Sequence, residues 1–368
     1  MLTQNRVLGS SFARLLTTRV VVLGLALGAS LNVGCGSRNM SFDLLSESAT
    51  FNQSSAEVSG KIDIIWVVDN SGSMDTSQQA IAVNFQRFID IFEQNGADFQ
   101  MVVATSDAYK DVFNPSLNMS IYKNGTYVND LGQTVTAPKI LRLDTPDLEK
   151  AFIANILRGV SGSGDERTFQ SMRSALANTT NQATGFPRAD AFLSVIMLSD
   201  EDDFSWDGAG SKENLYNDPA LHTVQSYVDF LDTLTGSTST NRKFNVNSIA
   251  ILDSACQTQL GGNGRKIAVR QNALATATGG LLGSLCGDFG ATLASISNKI
   301  IELSTQFYLD RIPRAGSLRV YVNGTEVPMS STNGYTYNEA NNSITFFGTG
   351  VPVAGAQITV SYDPTELR

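Results

Sequence analysis

The chain holds one histidine, His222, among its 368 residues, together with three cysteines, two tryptophans and nine prolines. One histidine leaves no room for histidine-rich zinc sites. Three cysteines cannot staple a disulfide-dense scaffold. Positive charge is also scarce, with 26 Lys and Arg against 35 Asp and Glu, for a formal charge of −9. A nucleic-acid partner is therefore not expected, because binding phosphate needs a basic face that displaces counterions. No apolar run reaches the roughly 20 residues of a membrane span. What is present is 42% hydrophobic residues, ample for a sizeable core, over a length that suits about two domains.

The first 34 residues carry Arg6, Arg14 and Arg19 and no acid, then the apolar run 20–27 and a Gly-broken end, which is the layout of a signal peptide. Gly34-Cys35 resembles the end of a bacterial lipobox, although Asn32 stands where that pattern prefers an aliphatic residue and Leu31 comes one place early. The resemblance implies cleavage before Cys35, lipidation of Cys35 and attachment to a membrane, each buried CH₂ contributing about 0.8 kcal/mol. Gly36 supplies no acidic retention signal, which by resemblance to enterobacterial sorting favours the outer membrane; whether the protein faces the periplasm or the exterior stays open. With Cys35 consumed, Cys256 and Cys286 remain in an oxidising compartment and are expected to pair, the alternative being two buried thiols.

Residues 35–60, rich in Ser, Asn and Glu, lack sustained periodicity and read as a lipid anchor and flexible tether. From Lys61 the run Ile62 to Val68 is apolar and β-branched, as a strand buried on both faces of a parallel sheet would be, and similar runs recur at 99–104, 192–198 and 246–252. Helical patterns lie between and after them at 77–93, 147–157, 168–177, 221–234 and 290–307. The alternation predicts a doubly wound, mostly parallel α/β sheet over 61–312. Asn124-Gly125 between two short β-like runs predicts a type I′ hairpin inserted within about 108–143. After Ile312-Pro313 short strands and Asn-Gly turns predict a small all-β module over 313–368.

The first buried strand runs into Asp69-Asn70-Ser71-Gly72-Ser73 just before a helix. A carboxylate and two hydroxyls at i, i+2 and i+4, at the carboxyl end of a strand where open α/β sheets bind ligands, are hard oxygens suited to Mg²⁺ or Mn²⁺, with Ca²⁺ also possible. This sequence resembles the metal-ion-dependent adhesion site of von Willebrand factor type A domains, whose pattern is Asp-x-Ser-x-Ser, a distant Thr and a distant Asp. Asp200, ending the buried run Ser194 to Ser199, resembles the final aspartate. The Thr position departs from the family: in Ser161-Gly-Ser-Gly-Asp-Glu-Arg-Thr168 no Gly-Thr pair occurs, Thr168 matches by type, and Asp165 follows the glycine turn as in members that place an acid there. An acid would lower the cation's pull on a partner carboxylate. The resemblance implies a non-enzymatic domain that holds a divalent cation and completes its coordination with an acidic side chain of a protein partner, serving adhesion.

Asp203, Ser205 and Asp207 imitate the first half of a calcium loop and are a possible second cation site, although Asn214 stands where the closing acid belongs. His222, at a helical start, reads as a surface or core-edge side chain, Trp66 as core, and Trp206 as a candidate contact. The loop Gly261-Gly-Asn-Gly-Arg265-Lys266 lacks the Ser/Thr of a phosphate cradle. A dehalogenase-like phosphatase would need an acid where Ser71 stands, and a serine hydrolase a G-x-S-x-G elbow that is missing. The competing role is architectural: an envelope lipoprotein in which metal only stabilises the fold and the β module makes the contacts.

Overall fold

Continuous burial is what makes Lys61–Val68 a central strand, since every residue after Lys61 is enclosed. In the computed structural model, which describes residues 51–57, 60–238, 241–262, 264–353 and 355–365, the elements follow in the order β1 (Phe51–Glu57), β2 (Lys61–Val68), α1 (Asp75–Gln94), β3 (Asp98–Thr105), β4 (Thr126–Val128), β5 (Thr134–Thr136), α2 (Leu148–Ile156), α3 (Thr168–Ala177), α4 (Thr179–Gln182) and β6 (Phe192–Leu198). They continue as α5 (Val224–Thr235), β7 (Phe244–Ala250), α6 (Ser254–Gln259), α7 (Val269–Ala277), β8 (Leu282–Ser284), α8 (Phe289–Ser304), β9 (Phe307–Tyr308), β10 (Arg319–Val322), β11 (Thr325–Val327), β12 (Gly334–Asn338), β13 (Ser343–Phe347) and β14 (Gln357–Tyr362). The expected leader and Cys35 lie outside the described residues. No described helix is long and apolar enough to cross a membrane.

Five strands form one parallel sheet in the order β3-β2-β6-β7-β8. Ile65 sits in register with Val102 on one side and Val195 on the other. Successive side chains of a strand point to opposite faces, and β2 shows it: Ile62, Ile64, Trp66 and Val68 pack under α1, α2 and α8, whereas Ile65 and Val67 pack under α3, α5 and α7. The first layer is aromatic, with Phe85 stacked on Phe152 at 3.7 Å and Trp66 edge-on to Phe88 at 5.4 Å. The expected α/β class is thus what forms, and Trp66 is core. The chain first moves from β2 outward to β3, then returns to β6 on the other side of β2. Winding reverses between β2 and β6, so their carboxyl ends part and leave a crevice.

The C-terminal strands build two antiparallel sheets, β1-β14-β10-β11 and β12-β13-β9, around Leu318, Val320, Ile344, Phe346, Ile358 and Val360. Between β10 and β11, Asn323 and Gly324 both take positive φ, 50° and 79°, as a type I′ turn requires.

Two expectations need correction. Residues 51–57, read as the end of a tether, form β1 and pair antiparallel with β14. An edge strand needs only backbone donors and acceptors on one side, so a polar composition gave no warning. The inserted hairpin exists but turns later, joining β4 to β5. The turn is made by Asn129, whose Oδ1 accepts from the Leu131 and Gln133 amides at 3.1 and 2.9 Å. Gly125 serves close packing instead, since a Cβ there would lie 2.1 Å from the Ala154 carbonyl oxygen.

Candidate metal centre

The crevice between β2 and β6 is where Asp69 and Asp200 meet. Their loops are held by backbone bonds that extend the sheet past its strand ends: Asp69 N donates to Leu198 O at 2.9 Å, Ser106 N to Val68 O at 3.0 Å and Ser199 N to Ile249 O at 3.2 Å. Asp69 is buried; its Oδ1 accepts from Ser71 N at 2.7 Å and its Oδ2 from Ser199 Oγ at 2.7 Å. Ser71 Oγ and Ser73 Oγ lie 3.3 Å apart, and Ser73 Oγ donates to Asp200 Oδ1 at 2.9 Å. Asp69, Ser71, Ser73 and Asp200 therefore form one connected constellation.

A third loop, between α2 and α3, closes against the first. Gly162 N donates to Asn70 O at 2.7 Å, and a Cβ on Gly162 would lie 2.6 Å from that same oxygen, so the approach requires glycine. Gln78 on α1 clamps the same junction: its Nε2 donates to the carbonyls of Asp69 and Gly159, each at 3.0 Å, and its Oε1 accepts from Arg158 N at 2.9 Å. Nothing in the local sequence marks Gln78, because its role depends on two distant loops.

The two candidates for the fourth position fare differently. Asp165 is committed elsewhere through one oxygen, its Oδ2 accepting from Arg167 Nη2 at 2.8 Å and from Tyr109 OH at 3.3 Å, while its Oδ1 is buried without a partner. Arg167 is itself enclosed; it lies 4.6 Å from the centre of the Tyr109 ring and donates to the carbonyls of Trp206 and Gly208 at 2.9 Å. Thr168 is buried as the first residue of α3, and its hydroxyl, which caps no amide, has no hydrogen-bond partner. Between them stands Glu166, a residue that sequence reasoning passed over. It is 2% exposed, neither carboxylate oxygen makes a hydrogen bond of ordinary length, and the Ser106 hydroxyl is the donor nearby that eases its ionisation. Its signal was position alone, one place after Asp165 on a glycine turn.

Burial, more than any neighbour, raises the affinity of these acids for protons. It lifts the Asp69 carboxyl to about 6, against the hydrogen bonds from Ser199 and Ser71 and with help from the Asp200 charge. Glu201 is pushed up to about 8 by burial and then by Asp69, and Glu166 well above its ordinary range by the same two causes. Two bases offset the acids. Arg265 Nε lies 2.8 Å from Asp200 Oδ2, and Lys110 Nζ 2.6 Å from Asp107 Oδ1. Arg265 comes from the glycine-rich loop after α6, whose sequence had offered only a faint phosphate motif. Among the described residues no three carboxylate, histidine or cysteine side chains converge on one point; the oxygens here are hydroxyls and carboxylates mixed. A divalent cation fits this set on chemical grounds, because hydroxyls and carboxylates are hard donors and buried acids without bases call for positive charge.

The proposed second cation site is not assembled. Asp203 accepts from Phe169 N and Ser205 Oγ at 2.9 and 2.6 Å and pairs with Arg270 at 3.3 Å, while Ser205 Oγ also accepts from Gln170 N at 2.9 Å. Those oxygens serve the first turn of α3. Asp207 is largely exposed and lies 3.0 Å from His222 Nε2. Neighbouring Asp202 accepts from the Val269, Arg270 and Gln271 amides that open α7. The acidic run is therefore a set of helix-terminal acceptors. His222 Nδ1 lies 2.6 Å from Tyr227 OH at the core edge, as expected. Trp206 is half-buried, with Lys212 Nζ 4.4 Å from the centre of its ring.

Cys256, in α6, and Cys286, just before α8, form the expected disulfide, with Cα atoms 5.6 Å apart. It ties the loops after β7 and β8 together at the same edge of the sheet.

Comparison with protein-family models finds no match, and none is found among curated proteins. Among solved structures the chain is similar to proximal thread matrix protein 1 from the mussel byssus, at 15% identity over 69% of this chain and 51% of that one, with a TM-score of 0.37. A second structure of that protein, described as having a zinc-occupied MIDAS motif, aligns at 15% identity over 71% and 52%, TM-score 0.37. The pilus adhesin SpaC from Lactobacillus rhamnosus GG, in an open conformation, aligns at 13% identity over 84% of this chain and 40% of that one, TM-score 0.39. The chain spans about half, or less, of the length of these proteins. Scores this low decide nothing here, and the assignment of the fold rests on the sheet order and the crevice.

Proposed function

We propose that the chain is a cell-envelope protein of the von Willebrand factor type A kind, which binds a divalent cation at the crevice and uses it for metal-dependent protein binding or adhesion. The observation that carries the reading is the meeting of Asp69, Ser71, Ser73 and Asp200 at the reversal point of the sheet, joined through Ser73 Oγ and Asp200 Oδ1 at 2.9 Å. Mg²⁺ or Mn²⁺ suits such oxygens, and a partner's oxygen, from an acidic side chain in the family pattern, would complete the coordination. The role is one of binding, without catalysis. Lipidation at Cys35 and residence on the outer membrane belong to the same proposal and rest on the leader's sequence.

The architectural alternative has one observation in its favour. A groove of about 570 Å³ in the β module is lined by Ile312, Pro313, Leu318, Met329 and Tyr337, and Ile312 and Met329 are exposed. The test is selection of displayed peptides on the immobilised chain in Mg²⁺ and in chelator, beside Asp200→Ala. Peptides retained only with Mg²⁺, and lost on the variant, support the crevice. Peptides retained equally in chelator would transfer the binding role to the β module.

A further inference from the structure

The aspartates of the crevice have already spent their oxygens. Both oxygens of Asp69 accept bonds, from Ser71 N and Ser199 Oγ, and both of Asp200 are engaged, by Ser73 Oγ and Arg265. Three neighbouring residues of the third loop keep buried oxygens without a hydrogen-bond partner: Asp165 through Oδ1, Glu166 through both carboxylate oxygens, and Thr168 through its hydroxyl. Asp165 is already paired with Arg167 through Oδ2, whereas Glu166 is 2% exposed and has no ion pair among the described residues. The Glu166 carboxyl is near enough to Asp69, Glu201 and Asp107 to feel their charges, and to the Ser106 hydroxyl, whose Oγ lies 3.4 Å from Asn70 Oδ1 on the Asp69 loop. Its carbonyl accepts from Phe204 N at 2.9 Å, which fixes the backbone between the two site loops. A buried carboxylate with no base and at most one hydroxyl beside it is costly enough that it calls for a counter-charge.

We propose that Glu166 is the carboxylate that ligates the cation directly, in the position that Thr168 or Asp165 was expected to fill. Asp69 and Asp200 act behind Ser71 and Ser73, orienting their hydroxyls. The inference rests on the cation-binding reading above.

The test is calorimetric titration of the intact chain with Mg²⁺, Mn²⁺ and Ca²⁺, for wild type, Asp69→Ala, Glu166→Gln, Asp165→Asn and Thr168→Val. Melting in chelator reports that each protein is folded. Glu166→Gln is expected to bind at least tenfold more weakly; Asp165→Asn should stay within twofold of wild type. Binding by Glu166→Gln within twofold of wild type, with loss in Asp69→Ala, overturns this assignment alone. So does a loss confined to Thr168→Val, which would give the position to threonine. No binding by wild type overturns the cation-binding reading itself, and this inference falls with it.

Discussion

Replacing Asp69 with asparagine isolates the charge at the centre of the crevice. Asn keeps the size of the side chain and an oxygen facing the Ser71 amide, but it cannot ionise. Burial lifts the Asp69 carboxyl from its ordinary 3.8 to about 6, a gap that corresponds to about 3 kcal/mol. The folded chain thus holds this proton more tightly than the unfolded chain does. The stabilisation is fully present below pH 4, and is lost as pH rises through 6. Without cation, the difference in unfolding free energy between Asp69→Asn and wild type should move by about 2.4 kcal/mol in favour of the variant between pH 4 and pH 7.5. Asp63 and Asp202, which burial also raises to about 6, are present in both proteins and drop out of the difference.

Cation acts on the other side of the same equilibrium, because it needs the deprotonated carboxylate. At a hundredfold excess over its dissociation constant it should stabilise wild type by about 2.7 kcal/mol, or about 2 °C of melting temperature per kcal/mol for a chain of this size. That gain is expected at pH 7.5, reduced at pH 5, and absent in Asp69→Asn at both. Chemical unfolding in urea at pH 4, 5, 6 and 7.5, with chelator and with Mg²⁺ or Mn²⁺, reads every quantity. A difference between the two proteins that stays flat with pH would refute the buried-charge reasoning; a cation gain of equal size in the variant would remove Asp69 from the site.

Arg265→Gln should tighten cation binding by about tenfold, equivalent to about 1.4 kcal/mol, because Asp200 loses its built-in counter-charge 2.8 Å away; titration calorimetry checks it, and weaker binding would mean that Arg265 organises the site. Opening the Cys256–Cys286 bridge, whose sequence separation is 30, should cost about 3.5 kcal/mol on the chain-entropy account. Urea unfolding of the Cys256→Ser, Cys286→Ser protein measures that loss, and a value near zero would show that packing alone holds the two loops.

How much of this was legible in the sequence depended on how local each cause is. Strands β2, β3, β6 and β7 were readable because burial on both faces writes itself as a continuous apolar run, and α3 appeared over its full span, Thr168–Ala177. The Asp69, Ser71, Ser73 and Asp200 set was readable because each residue sits just past a strand end. Strand β1 was hidden because pairing with β14 asks nothing of its side chains. Gly125 misled because glycine serves tight turns and close approaches alike, and only the position of Ala154 separates them. Gln78, Arg265 and Glu166 were hard to see for a common reason: each matters through groups far away in the chain, such as Arg158 to Gln78, |i−j| = 80, and no spacing rule reports such meetings.

The acidic run after β6 shows how one composition divides between support and function. Asp202 and Asp203 are saturated by amides at the starts of α7 and α3 and by Arg270, so their charge is absorbed by the fold. Asp200, two and three residues earlier, is met by Ser73 and Arg265. No ion pair reaches Asp69, Glu166 or Glu201 among the described residues, although Asp69 is buried and Glu166 is 2% exposed. A fold selected for stability alone would match these acids with bases or replace them, since unpaired buried charge is strongly destabilising. Their concentration at the one point where the sheet reverses direction is therefore what a cation site requires: charge left uncompensated by the chain so that an ion from outside can compensate it.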